Sequence, residues 1–171
     1  MSTDAALAKL SVGVVVERRK AKSPWIDAVW QPVAVLAGAP DTEPWTEISR
    51  SADAVRFFAG TVDVELYRSE SANYRANLDS GAPALWVVLR PGASTPPFEL
   101  ARVTADPAEG EAFTEPGTDL VEQVAMPEPI RQAVAAFVAA HPAEPAFHKR
   151  TRDRADPEAL SRRIPSRAGN K

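Results

Sequence analysis

Short β-branched segments with inward and outward residues in alternation, each cut off by proline or glycine, constrain this chain most. Val12, Val14 and Val16 alternate with Gly13, Val15 and Glu17, a period of two that suits a strand with two unlike faces. Val62, Val64 and Leu66 alternate with Asp63, Glu65 and Tyr67 in the same way. Leu85-Trp86-Val87-Val88-Leu89 is apolar on both faces, which predicts a central strand stopped by Pro91-Gly92. Residues 29–36 read as strand, and Pro32 cannot donate a ladder hydrogen bond, so it marks an edge or a bulge. Further extended pieces are predicted at 45–48, at 55–60 with a bend at Gly60, at 98–104 and at 120–124. Tyr74, Ala76 and Leu78 alternate with Arg75 and Asn77, which favours strand over a short helix.

Helix signals are fewer. Asp106-Pro107-Ala108-Glu109 combines a capping residue, a proline at the first helical position and a carboxylate three after the cap. A short helix is predicted from there to about Glu115, stopped by Pro116-Gly117. Pro129 opens the clearest helix, in which Ile130, Val134, Phe137 and Val138 form one apolar stripe. His141 falls in its last turn and Pro142 ends it. Ser23-Pro24 can start a single helical turn, and Trp25/Val29 and Ile26/Trp30 are each four apart.

This order predicts an α+β fold: an antiparallel β-rich barrel or curled sheet, with the C-terminal amphipathic helix packed across an opening. The chain of 171 residues divides into a flexible N-terminus (1–10), a single globular domain (11–147) and a basic, flexible tail (148–171). The tail carries eight Lys/Arg against three Asp/Glu, whereas the rest carries twelve against twenty. An acidic body with a basic tail is the chief compositional asymmetry.

Absence of cysteine excludes disulfides, thiolate catalysis and cysteine-held zinc or iron–sulfur centres. With only His141 and His148, any metal site would lean on carboxylates or on one of these two histidines, and none is expected. No nucleophile elbow, Walker loop or dinucleotide-binding glycine motif occurs, so no catalytic residue and no cofactor is assigned. Asp63/Glu65 and Glu109/Glu111 read as solvated faces rather than acid–base pairs. No apolar run is long enough to span a bilayer. The N-terminus lacks a signal-peptide pattern, and Arg18-Arg19 lacks the apolar region of a twin-arginine signal, so the expected location is cytoplasmic.

Two segments are candidates for binding a partner. Arg18, Arg19, Lys20 and Lys22 surround Trp25 and Trp30, cationic and aromatic residues of the kind that dominate binding interfaces. Two readings stand: at least one tryptophan anchors the hairpin in the core, or the pair forms an interaction surface, and both hold if one is inside and one out. In the tail, His148, Lys149, Arg150, Arg152 and Arg154 precede a helix-start signal at Asp156-Pro157. Leu160 and Ile164 follow four apart, with Arg162 and Arg163 beside them, a design that folds on a partner or docks on the acidic body. Nucleic acid is disfavoured as the ligand, because no aromatic platform interleaves with these arginines and the chain is acidic overall.

The string V-V-E-R-R followed by S-x-W-I-D-x-x-W-Q-P-V-A-V-L, with "ALWVVLRP" and the late "FHKR", resembles a bacterial, mainly proteobacterial family of unknown function. The resemblance runs from about Val12 to Arg154 and includes no catalytic motif. Genes of that family tend to lie near those of molybdenum-dependent formate dehydrogenases, and some members are labelled as guanylylating the molybdenum cofactor. The resemblance therefore implies a non-enzymatic accessory, assembly or adaptor protein for a formate dehydrogenase subunit or its maturation machinery. A small-ligand or molybdenum-cofactor-handling protein, with Trp86 and Arg90 facing the ligand, is the alternative, and nucleic-acid binding through the tail is a third. Guanylyl transfer would require the glycine-rich phosphate loop that this chain lacks.

Overall fold

A computed structural model describes residues 5–115 and 117–143 of the chain. Its strands are β1 (Ala8–Lys20), β2 (Ala28–Ala37), β3 (Thr46–Arg50), β4 (Ala54–Leu66), β5 (Ala84–Pro91), β6 (Phe98–Thr104) and β7 (Leu120–Ala125). Its helices are α1 (Ser71–Leu78), preceded by a 3-10 turn over Arg68–Glu70, α2 (Pro107–Ala112) and α3 (Glu128–Ala140). Strand pairing begins at Ala8, opposite Leu66, three residues ahead of the boundary read at residue 11.

Two antiparallel sheets form, in the orders β2-β1-β4-β3 and β6-β5-β7. The alternation at the start of the chain explains the first. Val12, Val14 and Val16 are fully buried, and β1 is flanked on both sides by paired strands. β5 is central in the second sheet, and residues 84–89 are all buried, as an apolar run without alternation requires. Pro32 sits on the edge strand β2, where the β1–β2 register shifts between Val15 and Val16, so the proline meets both conditions that tolerate it. Gly60, at φ 134°, lies where the β1–β4 register shifts, a conformation that L side chains rarely adopt.

The inner faces of both sheets share one core, in which Val14, Val64, Leu85, Val87, Leu89 and Val103 are joined by Tyr74 of α1. From α3, Ile130, Val134, Phe137 and Val138 enter the same core, and the Phe137 ring meets Tyr74 edge-on at 6.0 Å. The apolar stripe read from the sequence is therefore the buried face of that helix. Asp106 caps α2 by accepting a hydrogen bond from the Ala108 N–H at 2.9 Å, and Pro107 takes the first helical position.

Three expectations need correction. Among the described residues the strands do not close into a barrel: β2 lies beside β7 and β4 beside β6 without ladder pairing. The second correction lies between β4 and β5. Residues 74–78 belong to helix α1, not to a strand, and the strands on either side of it fall in different sheets. Burial there falls at Ser71, Tyr74 and Asn77, every third residue, which is a helical spacing. Third, Ser23-Pro24 starts a tight turn rather than a helical one: the Ile26 N–H reaches the Ser23 carbonyl at 3.5 Å, and β2 begins two residues later. No described helix is long and apolar enough to cross a membrane.

Candidate functional site

β1 and β2 end in a tip over residues 21–27, and β3 and β4 end in another over residues 51–53, at the same end of the first sheet. The Lys20 N–H donates to the Asp53 carbonyl at 2.9 Å and ties the two tips together. Beneath them, on the inner face, lies an aromatic cluster. Trp30 stacks on Phe57 at 5.8 Å, meets Trp45 edge-on at 6.2 Å and lies 5.9 Å from Phe98. Trp45 holds a left-handed backbone conformation, φ 64°, which costs a bulky L residue about 1–2 kcal/mol. Its edge-on contacts with Trp30 and Phe57 offset that strain.

Arg18 follows Val12, Val14 and Val16 in the alternation and so reaches the inner face, directly opposite Trp30 on β2. Its guanidinium lies 5.8 Å from the Trp30 ring centroid and 5.9 Å from that of Phe57. Glu17 and Arg19 take the other face. Glu17 is only 6% exposed and accepts from Arg19 Nη2 at 2.7 Å and from Arg56 Nε at 2.9 Å. Those bonds, Arg56 first, hold its carboxyl below the usual glutamate range despite burial. Arg50 is engaged too, in a two-pronged pair with Glu47 at 2.8 Å for each prong.

The tip itself is apolar and cationic. Trp25 is 91% exposed, Ile26 55% and Val29 49%, and the Trp25 N–H donates to Ser23 Oγ at 3.3 Å. Trp30, by contrast, is half-buried in the aromatic cluster. The two tryptophans thus divide, Trp30 packed inward and Trp25 exposed at the tip. Among the described residues, Arg18, Lys20, Lys22 and Arg68 are the cations without a carboxylate within 4.0 Å, and three of these four lie on this hairpin.

The remaining predicted site residues, His148, Lys149, Arg150, Arg152, Arg154, Leu160, Arg162, Arg163 and Ile164, lie outside the described residues. Arg90 and Trp86, considered for a ligand, serve the second sheet. Arg90 pairs with Asp119 at 3.6 Å, and Trp86 is buried against Gly110. Among the described residues no cluster of three or more His, Asp or Glu is arranged to hold a metal ion.

Sequence reasoning missed the contribution of the β3–β4 tip, namely Arg50, Ser51 and Asp53, and of Trp45, Phe57 and Phe98 to the floor. Pairing of β1 with β4, segments distant in the chain, brings the β3–β4 tip and Phe57 beside β1, and Phe98 comes from the second sheet packed against the first. The one available signal was turn chemistry, Ser51-Ala52-Asp53 after a short edge piece.

No curated protein and no solved structure matches this chain. Residues 11–151, which include parts of every strand and helix described above, match the family "Protein of unknown function (DUF3305)". The chain belongs to that family.

Proposed function

We propose that this protein is a non-enzymatic accessory or adaptor protein that binds a protein partner through the tip of the β1–β2 hairpin, with the basic tail as a second contact. A formate dehydrogenase subunit or its maturation machinery is the partner that the family resemblance favours. The observation that carries the reading is the coincidence, on one hairpin, of the most exposed tryptophan with three cations lacking a carboxylate partner among the described residues. Elsewhere on the described surface, nearly every cation is neutralised locally.

Energetics support a contact surface there. Leaving a large apolar side chain in water forgoes roughly 1.5–3 kcal/mol that burial would provide. Trp25 contributes little to this fold, so its apolar area is open to another molecule. Tryptophan and arginine are the side chains that most often dominate binding free energy.

The test is chemical cross-linking and affinity capture of the full chain in its native host, with partners identified by mass spectrometry. Recovery of a formate dehydrogenase subunit or maturation protein with the unaltered chain, and its loss with Trp25→Ala, supports the proposal. Identical recovery with both chains refutes the hairpin as the contact.

A further inference from the structure

Between the two hairpin tips lies a cleft of about 250 Å³, lined by Arg18, Lys20, Asp27, Ala28, Arg50 and residues 51–55. We propose that this cleft is an oxyanion site, in which Arg18 and Lys20 receive a carboxylate side chain from an acidic segment of the partner. The proposal rests on the accessory reading above and adds the chemistry that the hairpin recognises.

Arg18 is the central residue. Its guanidinium lies 5.8 Å from the Trp30 ring centroid and 5.9 Å from that of Phe57, at the outer range of a cation–π contact, and the residue is half-buried. Among the described residues the guanidinium makes no hydrogen bond and no ion pair, although it carries five N–H donors. A planar fork confined beside two aromatic rings loses less entropy on meeting a carboxylate than a fully solvated one, and its geometry matches a carboxylate bidentately. The other three arginines at this end, Arg19, Arg50 and Arg56, are already committed to Glu17 or Glu47. For that reason the neighbouring depression on the outer face, lined by Glu17, Arg19, Arg50 and Arg56, is not the favoured site.

Size and charge narrow the ligand. Small-molecule pockets usually run from about 300 to about 1,000 Å³, so this cleft suits one side chain better than a nucleotide or cofactor. Asp27 and Asp53 also line it, and their carboxylates repel a dianionic phosphate more than a monoanionic carboxylate. Trp25 lies two residues from Asp27, so a bound acidic segment would reach an apolar anchor beside the cleft.

The full chain, labelled with ¹⁵N, would be titrated with a glutamate-rich peptide, its glutamine counterpart, inorganic phosphate and phosphatidylglycerol vesicles. The glutamate peptide should shift the Arg18 Nε–H resonance and the amides of residues 51–55, and the glutamine peptide should not. Losing charge-assisted hydrogen bonds should weaken the peptide about tenfold to a hundredfold in Arg18→Gln. Arg18→Lys keeps the charge without the fork and should lose about tenfold. Lys20→Gln, which leaves the aromatic cluster intact, should also weaken binding and guards against a folding artefact. Equal binding of the glutamine peptide, equal or tighter engagement of the same residues by phosphate or vesicles, or no effect of the Arg18 and Lys20 substitutions would each overturn the site. Partner capture without peptide binding would sink this site and leave the accessory reading standing. Peptide binding without capture of any partner would do the reverse.

Discussion

Asn77 of α1 and Ala84 of β5 exchange two hydrogen bonds: the Ala84 N–H donates to Asn77 Oδ1 at 3.0 Å, and Asn77 Nδ2 donates to the Ala84 carbonyl at 2.8 Å. The same Nδ2 donates to the Ala105 carbonyl at 2.9 Å, so one buried amide fastens α1 to β5 and to the chain entering α2. Asn77→Ala leaves buried backbone groups unpaired, each worth about 1–3 kcal/mol, and should destabilise the fold by about 3 kcal/mol. Asn77→Asp keeps the acceptor but loses both donor bonds and buries a charge, so it should be no milder. Urea denaturation checks both, and a loss below about 1 kcal/mol would show that these contacts do not anchor the helix.

Two glutamates should give opposite pH signatures. Glu17 is held low by Arg56 and Arg19, so its contribution is complete above the unfolded value of about 4.3 and is lost as pH falls through the lower folded value. Burial, then the neighbouring Asp106 carboxyl, raise Glu70. Its contribution is present below about pH 4.3 and is lost as pH rises through the folded value. Glu17→Gln should therefore lower the denaturation midpoint near neutral pH and flatten the acid limb, whereas Glu70→Gln should raise the midpoint near neutral pH only. Midpoints measured from about pH 3.5 to about pH 7 decide it, and shifts of the same sign for both would refute the assignment.

Gly110 presents a conflict between local and tertiary preference. Alanine in a helix interior is favoured over glycine by about 1 kcal/mol. A Cβ here, however, would lie 2.2 Å from Trp86 Cγ, and that ring belongs to the central strand β5. Overpacking of this kind costs about 1–3 kcal/mol, so Gly110→Ala should be destabilising by up to about 2 kcal/mol. Trp86→Leu in the same chain should remove most of the penalty, and additive losses in the double variant would disprove the coupling.

Where a segment was strongly apolar, the fold was legible. Val12, Val14 and Val16 marked β1, the 84–89 run marked the centre of the second sheet, and Ile130, Val134, Phe137 and Val138 marked α3. Helix α1 was not, because its buried positions are Ser71, Tyr74 and Asn77, two of them polar, and no apolar stripe declares it. At the site, Arg18, Lys20, Trp25 and Trp30 were readable from one stretch of chain. The half supplied by Arg50, Ser51 and Asp53 depends on β1–β4 pairing between segments distant in the chain, which local sequence does not encode.

The two tryptophans of the first hairpin should separate stability from binding. Trp30 packs against Trp45, Phe57 and Phe98 and supports Arg18. Trp30→Ala should cost about 3 kcal/mol, near the lower end for large aromatic deletions because the ring is only half-buried. It should also remove one of the two rings beside the Arg18 guanidinium and so weaken an acidic ligand. Trp25, almost wholly exposed, touches little of the fold. Its replacement by alanine should change stability by less than about 0.5 kcal/mol while reducing partner capture severalfold. Calorimetry and capture on the same two variants test the division. A marked fall in melting temperature for Trp25→Ala, or undiminished capture, would mean that this side chain serves the hairpin and not a partner.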